Sequence, residues 1–311
     1  MKTSVIIPTM NRLKSLEVLL ESIFKQSVLP NELIIIDQSE RNYQKEISGL
    51  CGENNFIKLK YVHDRTITGL THAKNKGIEL NTSDILFFFD DDLELYPDFI
   101  EKVISTFEEH PEIYGICGRQ HLKKEINPIY NFIRDFFKRG PFSVRVKEPK
   151  KNYLNKNIEL MYKLSGGITA YRKEVTDEFL FDECLVRYSL GEDADYSYRV
   201  SQKYLIGKLN DAVAYHHHIQ TGRYNMRKDY DARVCFYYYF YNKNVKNYSS
   251  KLTKWYLIFV LLGVLIDACN KGIRNSTFDP LLGFFDGVLR VKNNYDGASC
   301  INIKSGSNSF L

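Results

Sequence analysis

Three consecutive aspartates, Asp90, Asp91 and Asp92, follow the wholly apolar run Ile85-Leu86-Phe87-Phe88-Phe89. Like charges this close raise one another's pKa and resist joint ionisation, so the triplet needs a positive partner. Hard divalent cations such as Mg2+ or Mn2+ take oxygen ligands, commonly one or two carboxylates with substrate phosphates and water. Along an extended turn Asp90 and Asp92 point the same way and Asp91 elsewhere. An acidic loop at the start of the helix beyond Pro97 is the plainer reading of the same residues. A second acidic group, Glu192, Asp193 and Asp195, follows Gly191, with Tyr196, Val200 and Tyr204 behind it at helical spacing. A carboxylate at such a helix start serves either as a general base or as a cap and terminal charge. His216, His217 and His218 close an apolar stretch, and on extended backbone only His216 and His218 share a face. A dedicated zinc site is not expected there, because neither a cysteine nor an H-E-x-x-H spacing accompanies them.

The elements that must hold these residues alternate. Ser4–Thr9 is a short apolar run, and Arg12–Lys25 carries Leu13, Leu16, Leu19, Leu20 and Ile23 at helical spacing. Glu32–Asp37 is again apolar and ends in an acid; Ile57–His63 alternates; Leu70–Leu80 reads as a helix, Ile85–Phe89 as a buried strand, and Pro97–Glu109 as a helix with Pro97 in its first turn. Strands buried on both faces and separated by helices imply an α/β fold with a mostly parallel, doubly wound, Rossmann-like sheet. Ligands of such sheets bind beyond the carboxyl ends of the strands, where Asp37 and Asp90 both fall.

Six segments in order resemble the inverting glycosyltransferases of GT-A fold known as glycosyltransferase family 2. They are Ser4-Val5-Ile6-Ile7-Pro8-Thr9-Met10-Asn11-Arg12, Ile34-Ile35-Ile36-Asp37, Ala73-Lys74-Asn75-Lys76-Gly77 for the family's A-R-N-x-G, Asp90–Asp92 for its D-x-D, Ser165-Gly166-Gly167 with Ala170-Tyr171-Arg172, and Gly191-Glu192-Asp193-Ala194-Asp195 for its E-D motif. The resemblance implies a nucleotide-sugar donor. Asp37 would accept from the base N–H of uracil or thymine, with Pro8, Thr9 and Arg12 lining the nucleotide pocket. Lys74 would approach the phosphates, as a point charge where the family has the bidentate fork of arginine. Asp91, Gly167 and Glu192 join this donor-binding set. Asp90 would touch the ribose or a metal-bound water, Asp92 the Mg2+ or Mn2+ ion, and His218 would complete the metal or diphosphate site. Asp193 would be the base, which transfer requires because a neutral alcohol is a poor nucleophile. Attack opposite the leaving diphosphate would invert the anomeric centre. The expected domains are residues 1–222, catalytic, with a nucleotide half near 1–118 and an acceptor half near 119–222, and a helical, amphipathic extension at 223–311.

Charge and hydropathy separate that extension from the rest. Residues 201–311 hold 15 Lys and Arg against 7 Asp, whereas residues 1–200 hold 28 basic against 31 acidic side chains. An aromatic block lies at Phe236–Tyr241, and Trp255–Ile266 is twelve residues without a charge, fewer than the roughly 20 a spanning helix needs. Flanked by Lys246, Lys251, Lys254, Lys271 and Arg274, and followed by the apolar segment Leu281–Val291, this region reads as an interfacial membrane contact through residues 233–291. A helical subdomain packed on the core is the alternative. Six scattered cysteines without a C-x-x-C pair, and an opening strand too short for a signal peptide, suggest a cytoplasmic chain on the inner face of the membrane. The expected partners are therefore a nucleotide sugar, a surface-glycan or lipid-linked acceptor and a membrane, not nucleic acid. A nucleotidyltransferase would want a glycine-rich phosphate loop after the first strand, and Thr9-Met10-Asn11-Arg12 has none. A non-catalytic nucleotide-sugar-binding protein would have no need of acids at 37, 90, 92 and 193 together.

Overall fold

The computed structural model describes residues 1–52, 56–121, 136–137, 154–185, 190–217, 225–246 and 253–294. The chain forms two compact units: Met1–Lys123, Val146–Glu183 and Gly191–Thr221 make one, and Lys124–Arg145, Cys184–Leu190 and Gly222–Leu311 the other.

The first unit is built on one sheet of β1 (Thr3–Thr9), β2 (Glu32–Asp37), β3 (Lys58–His63), β4 (Ile85–Phe89), β5 (Leu93–Leu95), β6 (Ile113–His121), β7 (Ile158–Met161), β8 (Ile168–Arg172) and β9 (Leu205–His216). Their order is β3-β2-β1-β4-β8-β6-β9-β5, with β7 paired to β9. β1, β2 and β4 are buried at every position, as strands covered on both faces must be. Side chains alternate between two cores. Val5, Ile7, Phe87 and Phe89 pack against α1 (Leu13–Phe24) and α4 (Phe99–Glu109), through Leu16, Leu19, Leu20, Ile23, Ile100 and Val103. Ile6 and Phe88 face the other way, toward Ala73 of α3 (Leu70–Leu80), Val175 of α5 (Lys173–Glu178), and Tyr196 and Val200 of α6 (Glu192–Ser201).

The bounds of β2, α3 and β4 are those the apolar patterns predict. A short helix, α2 (Gln44–Gly52), adds an element that the patterns did not mark. Pro97 stands outside α4, which begins at Phe99; its carbonyl instead accepts from the N–H of Ser27, in the connection between α1 and β2. The sheet is parallel from β3 to β4. Beyond that it is mixed: β8 runs antiparallel to both β4 and β6, and β5 and β7 run antiparallel to β9.

The second unit contains α7 (Met226–Phe240), which continues into one π-turn at Tyr241–Val245, then α8 (Thr253–Asn275) and α9 (Asp279–Asn294). Tyr230, Val234, Val264, Ala268 and Phe284 form its core. Gly283 and Gly287 let α9 lie against α7: a Cβ at Gly283 would fall 2.1 Å from the Arg227 carbonyl oxygen. The Trp255–Ile266 run does not mark the end of α8. Asp267, which closes the run, accepts from Tyr230 Oη at 2.8 Å and lies 3.5 Å from the Arg233 guanidinium, so the helix passes through it. Trp255–Asn275 is consequently long and apolar enough to cross a membrane by length and composition, which corrects the expectation of too short a segment.

Glu32 ties the edges of the parallel half together. It accepts from Ser4 Oγ and Thr82 Oγ1 and pairs with Lys60 Nζ at 2.9 Å. Burial pushes its carboxyl up, but hydrogen bonds from Lys60, Thr82 and Ser4 outweigh that and hold it at about 2, below the ordinary 4.5. A folded-state pKa below the unfolded one gives stability that is present above pH 4.5 and lost as pH falls toward 2. Glu32→Gln should therefore lower the unfolding free energy by about 2–3 kcal/mol at pH 7. The gap between the two proteins in urea titrations should close below pH 4.5.

Candidate active site

The carboxyl ends of β1, β2 and β4 lie side by side, with Thr9 opposite Asp37 in the parallel register. Asp91 turns toward β1, where it accepts from Thr9 Oγ1 at 2.8 Å and Arg12 Nη1 at 3.0 Å. Burial raises its carboxyl to about 6 against the pull of Arg12 and Thr9. Asp37 is fully buried; one oxygen accepts from Ser39 N–H and the other from Tyr61 Oη. Ser39 Oγ in turn accepts from Asn11 N–H. Asp37 thus fixes the turn beside Thr9 and Arg12.

Asp90 and Asp92 point away from Asp91, as strand alternation predicts. With His216 they form a cluster whose ligand atoms lie within 4.8 Å of one another. His216 Nε2 is 2.8 Å from Asp92 Oδ1 and 4.0 Å from Asp90 Oδ2. The register of β5 with β9 sets Leu93 opposite His216, bringing the ring beside the last aspartate. His217 takes the other face and meets Glu94 at 3.1 Å. His218, the histidine expected at the metal, lies outside the described residues. Two carboxylates and one imidazole fit a divalent cation such as Mg2+ or Mn2+ that keeps positions open for phosphate and water.

Gly166 and Gly167 separate this cluster from Asp193. Gly167 has φ +81°, and a Cβ there would sit 2.2 Å from Asp90 Oδ2. Its carbonyl accepts from Asp90 N–H at 2.9 Å. A Cβ on Gly166 would fall 2.6 Å from Asp193 Oδ2, which instead accepts from Gly166 N–H. Asp193 stands in the first turn of α6, behind Gly191 in the left-handed region at φ 83°. Ser197 Oγ donates to its carbonyl and accepts from Leu164 N–H, so the helix start and the glycine loop share one network. Asp195 is committed elsewhere, to Arg199 Nε at 2.8 Å.

Lys74 and Glu192 form a buried pair at 2.6 Å, with side chains 2% and 7% exposed. Burial pushes the Glu192 carboxyl up to about 7 against the pull of Lys74. Burial acts to deprotonate Lys74, and Glu192, then Asp90, outweigh it and raise its pKa. The Lys74 ammonium, expected at the phosphates, is directed onto Glu192. Asp90 is pushed up by burial and by the Glu192 and Asp92 carboxylates, against Lys74 and His216. Asp90, Asp91, Asp92, Glu192 and Asp193 gather here against the cations Arg12 and Lys74. Two side chains not singled out by motif also belong to it. Gln120 carries its amide nitrogen 3.2 Å from His216 Nδ1. Lys163 is brought down to about 8 by burial, against Asp195 and Asp193.

A sheet of this topology, with carboxylates gathered at its strand ends and a base candidate at a helix start, defines a GT-A type transferase. The sequence matches Glycosyl transferase family 2 over residues 4–180, more than half of the chain. The chain belongs to that family, the nucleotide-sugar glycosyltransferases. It is 26% identical over 237 residues to the O-antigen chain rhamnosyltransferase RfbN of Salmonella typhimurium, covering 75% of this chain and 72% of that one. It is 31% identical over 121 residues to the glucosyl-dolichyl phosphate glucuronosyltransferase of Haloferax volcanii, a match over 38% of each chain. In fold it is similar to the mannosyltransferase PcManGT of Pyrobaculum calidifontis, solved with GDP-Man and Mn2+, at a TM-score of 0.62 and 13% identity, covering 95% of this chain and 88% of that one. It is likewise similar to S. aureus TarS 1-349 in complex with UDP-GlcNAc, at 0.61 and 14%, covering 97% and 84%.

Gly167→Ala should force both a strained φ and a displaced Asp90 while leaving the sheet intact. Turnover of the nucleotide sugar should fall by about 100-fold or more, the usual cost of misplacing a reacting group by about 1 Å. Circular dichroism checks that the fold survives, and donor hydrolysis measures the loss.

Proposed function

We propose that this glycosyltransferase moves a sugar from a nucleotide-diphosphate sugar, by default a UDP-sugar, to a hydroxyl of a surface-glycan or lipid-linked acceptor, with inversion. The single observation that carries the reading is the placement of Asp193 and the Asp90–Asp92–His216 cluster on either side of Gly166-Gly167. Pro8, Thr9 and Arg12 line the nucleotide pocket, and Asp37 and Asp91 hold Thr9, Arg12 and the adjoining turn in place. Lys74 and Glu192 stand behind the diphosphate as a pair. Asp90, Asp92 and His216 hold Mg2+ or Mn2+, which when bound neutralises the departing diphosphate. Gly166 N–H orients Asp193, and the carboxylate takes the proton of the acceptor hydroxyl as its oxygen attacks the anomeric carbon. The new C–O bond forms opposite the old one, whose electron pair leaves with the diphosphate.

The catalytic domain in this reading is residues 1–222, and residues 223–311 bind the cytoplasmic face of a membrane peripherally. Support comes from exposed apolar rows in the second unit: Trp255, Ile258 and Leu262 on α8, and Phe278, Leu282, Phe285 and Leu289 at the start of and along α9. Rows at this spacing, with Lys271, Arg274 and Lys292 nearby, suit an interface of acyl chains and anionic headgroups.

Asp193→Asn should abolish transfer while UDP binding stays near wild type, and lost nucleotide binding would assign Asp193 to the donor site instead. Asp92→Ala should remove the metal-dependent part of UDP binding, and activity undiminished in chelator would rule out the metal. For the membrane reading, the full chain should co-sediment with anionic vesicles and leave them in alkaline carbonate. Retention after carbonate would make α8 a spanning helix, and no sedimentation would leave the second unit a packing element.

A further inference from the structure

The imidazole of His216 has two neighbours that make opposite demands on it. Nε2 faces Asp92 Oδ1 at 2.8 Å, and Nδ1 faces the Gln120 amide nitrogen at 3.2 Å. The side chain is 10% exposed, so it has little room to turn away. Parallel register sets Gln120 beside Ala214 and His121 beside Tyr215. Strand alternation then gives Gln120, Ala214 and His216 one face of the sheet and His121 and Tyr215 the other.

We propose that Gln120 is a positioning residue for the cation site, holding the His216 ring in the orientation that presents Nε2 to the ion. The inference rests on the reading that Asp90, Asp92 and His216 hold a divalent ion. The Gln120 amide lies against Nδ1, the ring nitrogen that faces away from Asp92. A cation needs the lone pair of Nε2, so the proton must then reside on Nδ1, where it requires an acceptor. Half a turn of the Gln120 amide offers its carbonyl oxygen in place of the nitrogen. Partners on the far nitrogen of a ligating histidine fix its orientation and raise its basicity, and their loss typically weakens metal binding about 10–100-fold. Leucine at position 120 keeps the volume but serves neither tautomer. Glutamate can only accept, and so favours the ring that is ready for metal.

The test uses the full chain with Mn2+ followed by electron paramagnetic resonance, in the presence of UDP and, separately, of GDP. Gln120→Leu should raise the Mn2+ Kd about 10–100-fold with the melting temperature unchanged, while Gln120→Glu should bind at least as tightly as wild type. Imidazole ¹⁵N shifts provide a second readout that a packing role would not move. With Mg2+ bound, the His216 Nδ1 resonance should shift in Gln120→Leu relative to wild type. An unchanged Mn2+ Kd in Gln120→Leu would overturn the inference. If the wild type and Asp92→Ala are alike in binding no Mn2+, the metal reading itself fails and Gln120 falls with it.

Discussion

The ion pair between Lys74 and Glu192 joins parts of the chain 118 residues apart, and the rest of the site depends on it. Lys74 rides on α3, over the parallel half of the sheet, and Glu192 opens α6, over the mixed half. Closing two charges away from water has a desolvation cost that can equal their attraction, so such a pair is poor evidence for stability. What it fixes is position. With Glu192 held, Asp193 is set at the next residue, and Asp90 lies within the field of the same ammonium. One buried cation therefore orders two carboxylates assigned to different steps of the reaction.

Apolar runs buried on both faces have few alternatives, which is why β2 and β4 were legible from sequence to the residue. The mixed half was not, because β6, β7 and β9 mix polar and apolar positions and take their places from pairing partners rather than from period. At the site, the acids announced themselves by crowding, and the separate direction of Asp91 followed from alternation. The choice among three histidines did not, since it depends on the register of β5 against β9. Gln120 carries no motif at all and enters only because β6 runs parallel to β9. Lys74 shows the opposite limit: its motif was readable, but the carboxylate it meets lies on a distant helix.

In the second unit, local charge was a misleading boundary. Asp267 interrupts an apolar run in sequence, but Tyr230 and Arg233 of α7 receive it, and α8 continues for two further turns. Polar groups satisfied within a helical packing leave the opposite side of each helix free to remain apolar, as Trp255, Ile258 and Leu262 do. The packed core of the unit and its exposed apolar rows in this way lie on different faces of the same helices.

Gly166 and Gly167 give one backbone group to each side of the reaction, an N–H to Asp193 and a carbonyl to the Asp90 amide. A dipeptide that touches both carboxylates cannot be altered for one without disturbing the other. A substitution in the loop entering β8 therefore reaches the Asp90 side and the Asp193 side together. The same coupling makes that loop a poor place to engineer new specificity and a good one at which to disable the enzyme.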